Sequence, residues 1–242
     1  LREMTASYGR NPGGYLWAII EPVAALALLT AIFSMFFRTP ALGDNFPLFY
    51  ATGYLPFMMY NDVSSKVAQS IRYSRQLLFY PPVNFLHAII ARAIINLITH
   101  IVIFILIITV IKYMYDLSLD LNYLNIIIAL CMTASLALGL GCFNCFLATR
   151  FPVWERIWAI ANRPAFIISG IFFIIDDIPE PFKSYLWFNP LVHFVGKMRS
   201  GFYPYYEANY VSYLFVFLIS LFLFFIGLIL LSRQHRFLLN NL

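Results

Sequence analysis

Charge is scarce in this sequence: Asp, Glu, Lys and Arg make up 11% of 242 residues, against 62% hydrophobic residues. A water-soluble domain of this length carries about 25% charged residues, so a surface facing water on all sides is excluded. Cysteine is nearly absent, and Cys131, Cys142 and Cys145 all fall in one apolar stretch. An odd number inside such a stretch argues against a disulfide framework and lacks the partner ligands of a metal site; packing is the reading it supports. Nothing approaches GxxxxGK[ST], HExxH or GxSxG, so neither nucleotide binding nor hydrolysis by those motifs is expected. Buried carboxylates near a membrane midplane, the mark of an ion-driven carrier, are not evident. Asp176-Asp177, with Glu180 nearby, read as a solvated turn. No basic-then-apolar leader is seen, so no removable signal is expected. The net charge of +5 is not gathered on one tail or face, which argues against nucleic acid.

What is present comes in long apolar blocks. A spanning helix needs about 20 mostly apolar residues, and six stretches are candidates: 15–37, 46–67, 85–111, 123–149, 154–175 and 210–231. The fifth is the poorest, interrupted by Arg156, Arg163 and Pro164. Block length favours helices, because barrel strands alternate over about ten residues. Between the fifth and sixth candidates, residues 185–188 and 191–195 are apolar but too short to cross, and Asn189-Pro190 divides them. A re-entrant hairpin covered by protein or water is expected there, with an amphipathic surface loop as the alternative. With the N-terminus inside, Arg38, Lys112, Lys183, Lys197 and Arg199 fall outside and the other eleven of 16 basic residues inside. That bias sets the orientation, and six spans return the Arg233–Arg236 end to the cytoplasm. The expected fold class is an all-α membrane protein: one domain over 1–242 with six transmembrane helices and an outer re-entrant hairpin between spans five and six.

Several segments could do work. Leu1, Met4 and Tyr8 recur at helical spacing before Asn11-Pro12-Gly13-Gly14, which reads as a short interfacial helix or as a disordered tail. In the inner loop after span two, Val67, Ile71, Ser74 and Leu78 share a helical face while Lys66, Arg72 and Arg75 lie off it, and Pro81-Pro82 ends the helix. Such a helix is either a lever that a soluble partner pushes or a basic connector. Glu21, Asn61, Asp62, His100 and Arg163 are polar residues inside spans, functional candidates because charge in lipid is costly. His100 also suits a hydrogen-bonded packing role, and Arg163 either an anionic headgroup or interface anchoring. Ala134, Ala137, Gly139, Gly141 and Cys142 let helices approach closely. The sequence holds 25 Phe, 16 Tyr and 4 Trp, more than interface belts require. Trp17, Tyr54, Tyr60, Trp187, Tyr203 and Tyr205 could line a path for a sugar chain, as flat apolar rings with polar edges suit pyranose faces; belt or core placement is the alternative for each.

Three strings carry a resemblance: YGRNPGGYLWAIIEP from Tyr8, GYLPFMMYNDVSSKVAQSIRYSRQLLFYPPV from Gly53, and SGIFFIIDDIPEPFKSYLWFNPLVHFVGKMRSGFYPYYEANY from Ser169. With the basic LLSRQHRFLL near the end, they make the chain resemble, along nearly its whole length, the permease subunit of type 2 ABC exporters of the capsule-polysaccharide group. Pro82 and residues 84–87 depart from that pattern. The resemblance implies a second copy of the chain and two separate ATP-binding subunits in the bacterial inner membrane. It implies no cofactor in this chain, with ATP and magnesium in the partner. The implied cargo is a lipid-linked acidic polysaccharide, handed on to periplasmic and outer-membrane export components; O-antigen, teichoic acid or a small hydrophobic compound are alternatives. It assigns Arg72, Arg75, Gln76, Leu78 and Phe79 to ATPase coupling. Tyr15 and Trp17 fall beside a lateral opening for the lipid anchor, and Trp187 and His193 at the outer hairpin. Arg10 and Arg163 are the arginines expected to hold the anchor phosphate.

Overall fold

The structure, a computed structural model, describes residues 16–76, 78 and 84–240. The expected N-terminal interfacial helix, with Arg10 and Tyr15, lies outside the described residues, as does Phe79 of the inner loop. The described residues form nine α-helices and no strand: α1 Trp17–Phe36, α2 Phe46–Ala68, α3 Ser70–Tyr73, α4 Phe85–Met114, α5 Tyr123–Arg150, α6 Trp154–Ile167, α7 Phe182–Trp187, α8 Pro190–Phe202 and α9 Tyr213–Asn240. Local chemistry sets several starts. The Asn45 side chain accepts from the Leu48 amide at 2.9 Å, and Pro47 stands in the first turn of α2, where a missing amide costs nothing. Asn84 and His87 form a reciprocal cap on α4. The Asn122 and Asn189 side chains cap α5 and α8 by accepting from the Asn125 and Leu191 amides.

Four helices, α1, α4, α5 and the Tyr213–Arg233 part of α9, are long and apolar enough to cross a bilayer. The other two expected spans differ. Helix α2 has the length, at 23 residues, but its last turns carry Asn61, Asp62, Ser64, Ser65 and Lys66, and it is the most enclosed of the long helices. The fifth expected span does not continue to residue 175: α6 stops at Ile167 after 14 residues, about 21 Å of helix. Gly170 follows with φ +83°, a left-handed turn that suits glycine. The chain then runs irregularly until a 3-10 turn at Ile175–Asp177.

Backbone groups freed inside an apolar environment need partners, and here a guanidinium supplies them. Arg199 of α8 donates from Nη1 to the Phe173 carbonyl at 2.7 Å and from Nη2 to the Ile171 carbonyl at 2.8 Å. Its Cζ lies 4.2 Å from the Phe49 ring centre, a cation–π contact. Arg199 is therefore buried in the fold, a correction to its place among outer-loop charges.

Helix α5 is the centre, packed against α2, α8 and α9. Small residues make this possible. A Cβ on Gly139 would strike the Ser220 carbonyl, and one on Gly227 would come within 2.7 Å of the Cys142 backbone. Helices α5 and α9 thus meet backbone to backbone, the arrangement that gives packing energy where lipid removes the hydrophobic drive. Cys142 is buried at this seam as a free thiol, whereas the free, buried Cys145 thiol lies 3.5 Å from the Ser70 hydroxyl of α3. Leucine at Gly139 or Gly227 is expected to cost about 1–3 kcal/mol each, read as a fall of several degrees in the apparent Tm of the detergent-solubilised protein. Ala161→Leu on the exposed side of α6 should leave it within about 0.5 kcal/mol.

Candidate functional site

The inner loop after α2 folds into a tight elbow. Val67 and Ile71 are buried as their shared face demands, and Ser74 with them. The helix expected to run through residue 80 is shorter, however: α3 covers only Ser70–Tyr73, and turns follow to Gln76. Gln69 at the junction has φ −91° and ψ 3°, which breaks α2 from α3 and redirects the chain. Arg72, expected off the apolar face as a docking charge, points back into the protein. Its Nη1 meets Glu155 Oε1 at 2.8 Å, and its Nη2 donates to the Ala148 carbonyl at 2.6 Å. One guanidinium therefore ties the elbow to the end of α5 and the start of α6. Arg75 and Leu78 are half-buried and Gln76 is exposed, so Gln76 is the most accessible of the described coupling candidates.

A second arginine braces the elbow from α4. Arg92, 3% exposed, donates to the Lys66 carbonyl at 3.1 Å, and its Cζ sits 3.8 Å above the Tyr73 ring. Sequence reasoning passed over both Arg92 and Glu155, since neither lies in the loop they hold. Glu155 sits 83 positions from Arg72.

Inside the bundle the polar residues pair with one another. His100 Nε2 on α4 lies 3.3 Å from Asp62 Oδ2 on α2. The Asn162 side chain on α6 donates to Asn61 Oδ1 on α2. Asn61 also donates to Asp62 Oδ1 at 3.4 Å, so a polar line runs from α6 through α2 to α4. Arg163 is exposed and forms no ion pair among the described residues. No residue of α6, all of them described, is buried. Glu155 and Asn162 are its side-chain polar ties to the elbow and to α2.

The far end of the bundle is knotted rather than open. His193 is fully buried, and its Nδ1 accepts from the Ser212 amide at 3.2 Å. That fixes the proton on Nε2, which donates to the Trp187 carbonyl at 2.7 Å. Trp187 Nε1 in turn donates to the Tyr210 carbonyl at 3.0 Å, and its ring lies 4.9 Å from Phe215. These two residues clamp α7 and α8 to the start of α9. Trp17 stands apart from them, 48% exposed at the start of α1. The Tyr206 hydroxyl donates to Asp176 Oδ2 at 3.2 Å, and Lys183 pairs with Asp176 Oδ1 at 2.9 Å. Burial pushes the Tyr203 and Tyr206 phenols up, so both stay neutral; Tyr206 donates to Asp176, while the buried Tyr203 hydroxyl has no hydrogen-bond partner among the described residues.

Among the described residues no group of three or more His, Cys, Asp or Glu could hold a metal ion. A bundle of apolar helices with a braced elbow is the build of a multi-pass membrane protein. Residues 1–203 match the model of the ABC-2 type transporter family, and the chain belongs to that family. It is a membrane transport subunit, separate from the ATP-binding partner that such a transporter requires. The polysialic acid transport protein KpsM of Escherichia coli is 30% identical over 241 residues, covering 100% of this chain and 93% of its own length. The capsule polysaccharide export inner-membrane protein CtrC of Neisseria meningitidis is 29% identical over 236 residues, 96% of this chain and 88% of the relative. BexB of Haemophilus influenzae, described in the same words, is 27% identical over 235 residues with the same coverage.

The elbow tie can be tested without transport. Arg72→Glu and Glu155→Arg are each expected to lower the apparent Tm by several degrees, since each leaves a half-buried charge facing its like. The double reversal should recover at least half of that loss; a swap no better than the worse single would mean that the 2.8 Å pair is not formed.

Proposed function

We propose that this chain is the membrane-spanning permease of an ATP-driven exporter that moves a lipid-linked acidic capsular polysaccharide across the bacterial inner membrane. The full-length similarity to capsule export inner-membrane proteins supports the cargo class. The observation that carries the mechanism is the Arg72 tie, because it gives a chain without a motor of its own a route for borrowed motion. Two copies assemble with two ATP-binding subunits, and ATP and magnesium are held by the partner. Periplasmic and outer-membrane components receive the glycan.

In this reading the chain forms one domain that crosses six times. The α2 helix is an enclosed crossing. The α6 helix with residues 168–174 is a broken one, and α7–α8 is a re-entrant hairpin on the outer side. Both termini face the cytoplasm. Arg75, Gln76, Leu78 and Phe79 meet the ATP-binding subunit, and Arg72 passes the displacement to α6 through Glu155. Helix α6 then parts from α2. Arg10 and Arg163 hold the anchor phosphate at the inner face, with Tyr15 and Trp17 beside the lateral opening. Trp187 and His193 shape the exit by fixing the hairpin, without touching the cargo.

Reversing the elbow charge with Arg75→Glu and Gln76→Glu should lower co-purification of the ATP-binding subunit and surface polysaccharide at least tenfold. Unchanged assembly and export would remove the coupling role. Orientation is tested by cysteine labelling. A cysteine at Gln76 should react with a membrane-impermeant maleimide only after the inner face is exposed, and one at Tyr205, 67% exposed, from the outside in intact spheroplasts. The reverse pattern would invert the topology.

A further inference from the structure

Between α4 and α5 the chain is neither helix nor turn from residue 117 to residue 122. Leu117, Leu119 and Leu121 pack against the core, while Ser118, Asp120 and Asn122 are exposed. That alternation is the period of a strand with one face on the protein and the other in water. A strand normally satisfies its amides and carbonyls in a ladder. Here, among the described residues, no hydrogen bond reaches the backbone of residues 118–121. The segment is held at its ends instead. The Leu117 amide donates to the Lys112 carbonyl at 3.1 Å, and the Asn122 amide to the Gly201 carbonyl at 2.9 Å. Asn125 adds a bond from Nδ2 to the Ser200 carbonyl at 3.3 Å.

The unpaired segment borders a cleft of about 1030 Å3, as large as the roomiest ligand pockets, which run to about 1,000 Å3. Residues 119–125 line it, with Lys197 and Ser200 of α8 and with Pro204 and residues 206–209 of the α8–α9 connection. That connection has turned its backbone on itself: the Asn209 amide donates to the Glu207 carbonyl at 3.0 Å, and the Val211 amide to the Ala208 carbonyl at 3.1 Å. The open ladder therefore lies on the side of residues 118–121. An extended peptide that enters the cleft can pair with it as an added strand.

Charge selects the occupant. Asp120 and Glu207 line the cleft, and Asp116 stands exposed just before the unpaired segment. None of the three forms an ion pair among the described residues, unlike Asp176, which Lys183 takes at 2.9 Å. Lys197 is the basic residue set against them. The local field draws a basic segment and repels a polyanionic glycan. A second copy of this chain would bring the same carboxylates face to face, which disfavours self-pairing.

We propose that residues 117–122 are a docking edge for an extended, basic segment of a periplasmic protein of the same exporter. This rests on the outward placement of the α4–α5 connection in the reading above. A photoreactive benzoylphenylalanine replaces Ser118 in cells carrying the complete exporter, and the comparison probe replaces Met35, 84% exposed at the end of α1. The probe at 118 is expected to give an adduct with the exporter's periplasmic component at least tenfold stronger than the probe at 35, through a peptide that carries Lys or Arg. Equal adducts at both positions, a linked second copy of this chain, labelled glycan in place of protein, or no adduct while export continues each overturn the docking edge.

A second measurement separates recognition from folding. Asp120→Lys with Glu207→Lys should weaken the adduct at 118 at least tenfold with the ATP-binding subunit still attached. Asp44→Lys, at an exposed carboxylate that does not line the cleft, should leave the adduct unchanged. A parental adduct in the double reversal overturns the proposal as well. A cysteine at Ser118 tests the placement on its own. Reaction with a membrane-impermeant maleimide in intact spheroplasts is expected. Reaction only after the inner face is exposed means that the topology fails, a result separate from a missing adduct on an outward loop.

Discussion

A 2.8 Å ion pair between Arg72 and Glu155 is the connection on which the transport account rests, because it joins the elbow directly to α6. None of its residues is buried. A helix packed on all sides is bistable only at high cost, since interiors are close-packed and transmit strain. A helix held by polar side-chain ties can move by exchanging a few hydrogen bonds. The Asn162–Asn61 contact and the Trp154–Asn144 hydrogen bond at 3.0 Å are two further ties, and the Phe166 ring packs on Phe57 and Phe172. In the proposed mechanism, displacement of the elbow reaches α6 through Glu155, and the Asn162–Asn61 bond is the one exchanged as α6 parts from α2.

The rest of the molecule is built to stay still. Gly139 and Gly227 bring the backbones of α5 and α9 together, and among the described residues the largest fully buried side chain is Arg199, locked to two carbonyls and a ring. That guanidinium makes the irregular segment after α6 tolerable in an apolar setting, where exposed amides and carbonyls would each cost several kcal/mol. At the far end the His193 ring, with both nitrogens bonded, fixes the hairpin to α9. A rigid frame of α2, α5, α8 and α9 with one loosely tied helix is what a subunit without its own energy source needs. In the proposed mechanism, force applied at the elbow moves α6 instead of being spread through the fold.

Much of this was legible in the sequence. Long apolar blocks placed α1, α4 and α5 within three residues of their observed ends, and the start of α9 equally closely, although α9 runs on to Asn240 past its expected end at 231. The seam of small residues in α5 was also visible as such. The period of Val67, Ile71 and Ser74 identified the buried face of the elbow, but not its early end after Tyr73, since the turn at Ser74, with φ −93° and ψ 12°, leaves no mark in a hydrophobic pattern. The fifth span was overextended for a different reason. Residues 168–175 are apolar, and what keeps them from being helical is Arg199, a partner 28 positions from Ile171. The same arginine counted as an outer charge when it is a buried strut. Arg72, Glu155 and Arg92 come together only when three distant segments meet, so a reading of local charge named Arg72 but not the internal tie it makes.

The most direct test replaces the bond between α2 and α6 with a covalent one. Asn61→Cys and Asn162→Cys, in cells carrying the complete exporter, should form a disulfide on mild oxidation. Polysaccharide export is then expected to stop while the ATP-binding subunit stays attached, and a reducing agent should restart it. Export that continues at the parental rate with the disulfide closed would mean that α6 does not part from α2, contradicting the account.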